Sequence, residues 1–337
     1  MPTLQDTSTS RRRRRWLPLV ALLAAFGLLA ACGSDSDSGS SASPDTTAGS
    51  GASEVTIEHA FGSTEVPVRP ERIVSLDSQW TDVLLAMGQV PVGHAEIENF
   101  GNFPWDGDQL DDSEKISTDG TSIPVEKVAS LRPDLIVSSW QITDQSVYYQ
   151  LSKIAPTIAL LTPGQAVDSW QDMTKVAGQF LDDAEGATDI IEGVDAQIAE
   201  MAEELPGLEG TTYVMANYVP GDQIYVVADP DDGAADLFYG LGLSISPTIL
   251  DNGDPTTLRA QISLENISML DGDILFLLPN GADPATIPGY SNLPAVASGA
   301  SMILDNSMAI GINTPTPLSV PWMLQQMEPT LKAAAGA

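Results

Sequence analysis

Cysteine is almost absent from this chain: Cys32 is the only one. No intramolecular disulfide can form, so stability has to come from an ordinary apolar core. Histidine is nearly as scarce, with His59 and His94 alone. Neither sits in a pattern that reads as a metal cage or a catalytic triad, and the chain has no G-x-S-x-G, G-x-x-x-x-G-K-[ST] or H-E-x-x-H. Gly240-Leu241-Gly242 begins like a dinucleotide fingerprint and fails for want of a third glycine. The expectation is therefore no catalytic residue, no resident metal and no cofactor. Basic residues number fourteen against forty-six acidic ones, a formal charge of -32, which argues against nucleic acid as a partner. The apolar run from Trp16 to Ala31 is sixteen residues long, too few for a comfortable bilayer span.

That run has another meaning. Five arginines, Arg11 to Arg15, stand directly before it, and it ends in Leu29-Ala30-Ala31-Cys32. A charged start, a short apolar stretch and small residues before a cut read as a secretory signal over residues 1–31. The L-A-A-C end resembles the bacterial lipobox, which implies that Cys32 is acylated and that the chain hangs from the outer face of the cell membrane by lipid. Residues 32–53 follow as a tether: Gly33 to Ser53 holds no aromatic residue and no aliphatic one larger than Ala. Such a stretch cannot bury enough apolar surface to offset its ordering entropy, and its root-mean-square span is about 25 Å. Without the signal the chain keeps nine basic and forty-five acidic residues, a net charge of -36, read here as solvation and self-repulsion outside the cell.

From Glu54 onward, short β-rich runs alternate with helical patterns, which predicts α/β layers with mostly parallel strands. Strands are expected at Ile73–Leu76, Leu135–Ser138, Thr157–Leu161, Thr212–Met215, Ile224–Val227, Ile274–Leu278 and Met302–Leu304. Helices are expected at Thr81–Met87, Val125–Leu131, Val167–Leu181, Gly233–Gly240, Leu264–Leu270 and Val320–Ala334. Between the halves, Ile190, Ile191, Val194, Ile198, Met201 and Leu205 form the 3.6-residue stripe of an amphipathic helix over Asp182 to Leu205, halted by Pro206-Gly207. At 1.5 Å per residue it would be about 36 Å long, a stiff hinge between an N-terminal lobe at 54–181 and a C-terminal lobe at 211–337.

Several segments resemble one family. Arg69-Pro70-Glu71-Arg72-Ile73-Val74-Ser75-Leu76, Leu84-Leu85-Ala86-Met87-Gly88 with Pro91-Val92-Gly93, Val125 to Val137 and Ile154-Ala155-Pro156-Thr157 look like the N-lobe of lipoprotein solute-binding proteins that serve ferric-siderophore and vitamin B12 ABC importers. In the second half, Leu293-Pro294-Ala295-Val296-Ala297-Ser298-Gly299 and Pro317-Leu318-Ser319-Val320-Pro321-Trp322 match its closing segments. The similarity runs from about Val55 to Leu331. It implies two Rossmann-like α/β lobes bridged by one rigid helix, a ligand cleft between them, a ferric siderophore as ligand, ABC permease subunits as partners and a monomeric receptor that catalyses nothing. A vitamin B12 or haem receptor is the alternative within transport. A cell-surface adhesion module on the same fold is the alternative outside it.

In open parallel sheets the ligand lies beyond the carboxyl ends of the strands. Trp80, Trp105, Trp140, Asn217, Tyr218 and Trp322 fall in or beside loops on that side, and aromatics there suit a bulky metal chelate. Lobe packing is the other role open to each, most of all to Trp80 and Trp322. Arg72 and Arg132 precede their strands and so face away; Arg259, expected in the loop before Leu264, is the one arginine on the favourable side. A tri-anionic catecholate complex needs several charge-assisted partners, so a hydroxamate or mixed siderophore, neutral or cationic, fits better. Glu126 and Glu265 match the family positions that dock on permease arginines. Both also fall in the first turn of an expected helix, where the dipole favours an acid in any case.

Overall fold

The computed structural model describes residues 53–97, 102–118, 122–165, 167–230 and 235–337. The signal segment 1–31, the lipidation site Cys32 and all but the last residue of the tether lie outside them. The chain begins with an antiparallel hairpin of β1 (Glu54–His59) and β2 (Gly62–Pro67), turned at Gly62, whose φ is 121°. Then come β3 (Ile73–Ser75), α1 (Ser78–Ala86), β4 (Gly93–Ile97), β5 (Glu114–Thr118), α2 (Val125–Ser130), β6 (Leu135–Val137), α3 (Gln145–Leu151), β7 (Thr157–Ile158) and α4 (Trp170–Leu181). The five strands β3 to β7 form one wholly parallel sheet in the order β5-β4-β3-β6-β7.

Strand alternation divides the core of this lobe into two layers. Ile73, Leu135 and Val137 pack on one side with Trp80 of α1 and Phe180 of α4. Val74 and Ile136, one residue out of step, pack on the other with Val128 of α2 and Leu151 of α3. A sheet covered on both faces explains why its strands read as unbroken apolar runs.

The linking helix is shorter than the expected 182–205. Asp182 ends α4 in a left-handed turn with φ 57°, and α5 spans Ala184–Glu204, its first turn capped by Asp183, whose carboxylate accepts from the Gly186 N–H at 3.0 Å. Its 21 residues extend about 32 Å. The corner between α4 and α5 is tight enough to demand glycine: a Cβ at Gly178 would lie 2.6 Å from the Cβ of Ala187.

Beyond α5 lie β8 (Thr212–Tyr218), β9 (Ile224–Val227), α6 (Ala235–Gly240), β10 (Ser244–Ile245), α7 (Pro247–Asp251), β11 (Gly253–Asp254) and β12 (Arg259–Ile262). A 3-10 segment at Leu264–Met269 precedes β13 (Ile274–Leu278), α8 (Pro294–Ser298), β14 (Ser301–Ile303), α9 (Asn306–Asn313) and α10 (Ser319–Ala335). The second sheet runs β11-β12-β9-β8-β13-β14, with β10 beside the start of β8. Most strand pairs are parallel, as expected, but this second sheet is mixed. β8 pairs with β13 in parallel, but β9, β12 and β11 add antiparallel to one another and to β8. The link from β8 to β9 is a tight turn through Gly221, φ 83°, far too short for the crossover that parallel neighbours require. The expected helix at Leu264–Leu270 is 3-10 with a break at Asn266.

Two α/β lobes, each built on its own sheet, are thus joined by one long helix. α5 buries few side chains fully. Ile191, Ile198 and Met201 rest on the second lobe's core, where Phe276, Phe238 and Met323 are buried.

Candidate ligand cleft

The carboxyl ends of β3 and β6 are tied together by buried acids. Asp77 caps α1, accepting from the Trp80 N–H at 2.9 Å, and also receives the Ser138 hydroxyl at 3.2 Å and the Ser139 N–H. Burial outweighs these donors and raises its carboxyl to about 6. Asp168, 3% exposed, accepts from the N–H groups of Leu161 and Thr162 at 2.8 and 2.9 Å and from the Ser139 hydroxyl at 3.1 Å. Burial pushes it upward as well. The loops after β6 and β7 are therefore held in one frame.

Next to that frame lies a cavity of about 1010 Å³ bounded by residues of both lobes and of α5. The N-lobe contributes the segment around Thr162 and Asp168, α5 contributes Asp195 and Ile198, and the C-lobe contributes Asp229, Asp236 and Arg259. Among the described residues, Arg259 is the one basic side chain on its wall. A second cavity of about 340 Å³ is lined by Asn217, Tyr225 and Leu278 and shares Arg259 and Asn313 with the first.

Arg259 reaches both cavities, although it opens β12 rather than sitting in a loop; its guanidinium donates to the Leu258 carbonyl at 3.0 Å. Asn217 lines the second cavity and accepts from Asn280 Nδ2 at 2.5 Å. Trp140 is half-buried just past β6, its Nε1 buried and without a partner among the described residues; it lines neither cavity. Trp80 is wholly buried against Phe180 in the N-lobe core, its ring 6.2 Å away, so it packs the lobe and walls no cleft. Tyr218 is a correction of the same kind. β8 continues to residue 218, three beyond the expected end, and the alternation that puts Asn217 on the cavity side turns Tyr218 into the C-lobe core at 9% exposure.

Trp105 and Trp322 meet each other across the lobes, with ring centroids 5.2 Å apart. Trp105 also stacks on Phe103 at 4.8 Å and donates from Nε1 to Asp82 at 2.7 Å. Glu126, in the first turn of α2, and Glu265, in the first turn of the 3-10 segment, are both exposed. Neither carboxylate has a hydrogen bond or ion pair among the described residues. His59 is a buried packing residue bonded to Thr64 at 2.9 Å, and His94 bonds Ser113 at 2.8 Å. No group of histidine, cysteine, aspartate and glutamate able to hold a metal ion occurs among the described residues.

Asp195, Asp229, Asp236 and Asn313 were not foreseen. A carboxylate on the polar face of a helix, such as Asp195 on α5 or Asp236 on α6, is indistinguishable in sequence from the many that only face water, and nothing local marks Asp229 after β9 or Asn313 at the end of α9.

The periplasmic binding protein family model matches residues 73–307, and the chain belongs to that family. It is 27% identical over 307 residues to the "Probable siderophore-binding lipoprotein YfiY" of Bacillus subtilis (strain 168), covering 86% of this chain and 90% of that protein. It is 28% identical over 308 residues to the iron(3+)-hydroxamate-binding protein FhuD of the same organism, covering 88% and 91%. A periplasmic solute binding protein from Mycobacterium smegmatis str. MC2 155 shares the fold with a TM-score of 0.72 and 28% identity, over 84% of this chain and 99% of that one. These relatives are binding proteins.

Proposed function

We propose that this chain is the lipid-anchored, extracytoplasmic receptor of an iron-chelate ABC importer: Cys32 holds it to the membrane, the cleft captures a ferric siderophore of hydroxamate or mixed type, and the loaded protein docks on the permease. The observation that carries the ligand class is the charge of the larger cavity, where Asp195, Asp229 and Asp236 face the space together with one Arg259. A tri-anionic complex brought there would meet more carboxylate than guanidinium and lose its hydration without enough charge-assisted partners. A neutral or cationic ferric hydroxamate avoids that cost. The relatives support the same reading: YfiY is described as a siderophore-binding lipoprotein and FhuD as an iron(3+)-hydroxamate-binding protein. Glu126 and Glu265 serve as the docking acids, one on each lobe; neither has a partner among the described residues, which favours a role outside the chain over helix capping.

Titration of intrinsic tryptophan fluorescence with ferric hydroxamates, ferric catecholates, haem and cobalamin tests the proposal. A ferric hydroxamate is expected to bind with the lowest Kd. Tighter binding of a catecholate would overturn the charge argument, and tighter binding of haem or cobalamin would overturn the siderophore reading.

A further inference from the structure

Asp82 is 1% exposed on α1 and Asp106 2% exposed on the segment 102–112 that leads to β5. Their side chains lie within hydrogen-bonding reach of each other, yet Oδ1 of each has no donor among the described residues. Two ionised carboxylates are acceptors only and cannot satisfy one another; one proton between them turns the contact into a charge-assisted O–H···O bond. Both residues border one small cavity of about 20 Å³, together with His94 and Glu96 of β4.

The pair also sits where the lobes touch. The second oxygen of Asp82 accepts from Trp105 Nε1 at 2.7 Å and from the Thr316 hydroxyl of the C-lobe at 2.6 Å. That of Asp106 accepts from the Phe103 N–H at 3.0 Å. Phe103 and Trp105 stack, and Trp105 presses on Trp322 of α10 and lies so close to Gly311 of α9 that a Cβ there would be 3.4 Å from its ring. Segment 102–112 is a strap from the N-lobe across to the C-lobe.

We propose that Asp82 and Asp106 share one proton, and that this proton latches the strap onto α1 and so holds Trp105 against the opposite lobe. Loss of the proton sets two buried carboxylates against each other, drives the strap off α1 and loosens the lobe contact. Burial first, and the Asp106 charge second, hold the Asp82 carboxyl well above the usual carboxylate range; burial raises Asp106 too. The charged and titratable groups around the pair are few. His94 is kept from protonating chiefly by burial, Glu96 is paired with Lys115 at 2.6 Å, and α9, α10 and their connection present Gly311, Thr316 and Trp322, none of which titrates.

The folded state binds this proton more tightly than the unfolded chain, so the latch contributes fully at acid pH and its stabilisation is lost as pH rises through the pair's raised range. Asp106→Asn replaces the shared proton with an amide donor to Asp82 and keeps an acceptor for the Phe103 N–H. Urea unfolding of the full chain and of this variant at pH 5, 6, 7 and 8 is the test. Relative to the variant, the wild-type folding equilibrium constant should fall by up to about tenfold per pH unit, because in the variant the amide donor to Asp82 stands in for the shared proton. Asp77 and Asp168 contribute equally to both proteins and cancel. Near-UV circular dichroism from pH 5 to 10 reads the strap itself: the part of the signal that Trp105→Phe removes should fade in the wild type and persist in Asp106→Asn. Should Asp106→Asn fail to fold, Asp82→Asn carries the same expectation. Parallel pH profiles for wild type and variant would overturn the shared proton, and a Trp105 signal that does not change with pH would overturn the latch.

Discussion

The two lobes meet the cleft with different chemistry. Among the described residues, every buried acid, Asp77, Asp82, Asp106 and Asp168, belongs to the N-lobe, while the C-lobe core is apolar with a few buried hydroxyls such as Ser246 and Thr330. At the rim the N-lobe spends its carboxylates on its own backbone N–H groups, and the C-lobe presents Asn217, Asn313 and Arg259 to the cavities. The N-lobe ties its loops together with buried acids, whereas the C-lobe holds its cleft side on packing and turns polar side chains to the cavities. The difference follows from topology. A short, wholly parallel sheet ends in loops whose N–H groups need acceptors, whereas antiparallel additions to the second sheet satisfy the backbone within the ladder.

Breaking the C-lobe core gives the largest expected effect. Phe276, wholly buried on β13 between Phe238 and the strands, should cost about 3–5 kcal/mol when replaced by alanine, with the same loss at pH 5 and pH 8 by urea unfolding. A loss that varied steeply with pH would show that the C-lobe is not the pH-indifferent half.

The N-lobe should behave in the opposite way. The Asp77 carboxyl, raised from 3.8 to about 6 by burial, binds its proton more tightly in the folded state, so its contribution to stability is full below the ordinary carboxylate range and is lost as pH rises through about 6. The loss is on the order of 3 kcal/mol. Carbon-13 NMR of the aspartate carboxyls should show one resonance titrating near that pH, and its absence in Asp77→Asn assigns it; a carboxyl that titrates in the usual range would remove the contrast between the lobes.

Smaller still is the effect expected of Trp140→Ala on ligand capture. The half-buried ring lines neither cavity, so its removal should raise the Kd of the best-binding ferric hydroxamate by less than about fivefold. A larger loss would place Trp140 on the ligand. The smallest effect on capture is expected from Glu126→Lys with Glu265→Lys: unaltered chelate affinity in the purified protein, with uptake into cells falling steeply because both docking contacts become repulsive. Full uptake would end the docking role, and lost affinity would mean that these acids shape the cleft.

Apolar runs such as Ile274–Leu278, which can only be buried, were enough to mark β3, β6 and β7 of the first sheet and β8, β9, β13 and β14 of the second, and the stripe from Ile190 to Leu205 marked the linking helix by its period; β4, β5 and β12, which carry polar or charged residues between the apolar ones, were not legible. The sequence by itself also determined the scarcity of cations at the cleft, since a side chain that precedes its strand lies at the far edge. The tertiary structure decided which neighbour in a strand faces the ligand. Asn217 and Tyr218 are adjacent, and a strand three residues longer than expected turned one to the cavity and the other to the core. It decided the fate of the tryptophans as well: loop position put Trp80, Trp105 and Trp322 near the cleft, but only packing between elements far apart in the chain sent Trp80 into the N-lobe core and closed Trp105 on Trp322. The acids divide in the same way. Composition cannot tell Asp82 from Asp195, because burial beside Asp106 and Thr316 is set by residues brought together from distant parts of the chain, and burial is what changes a carboxylate's proton affinity.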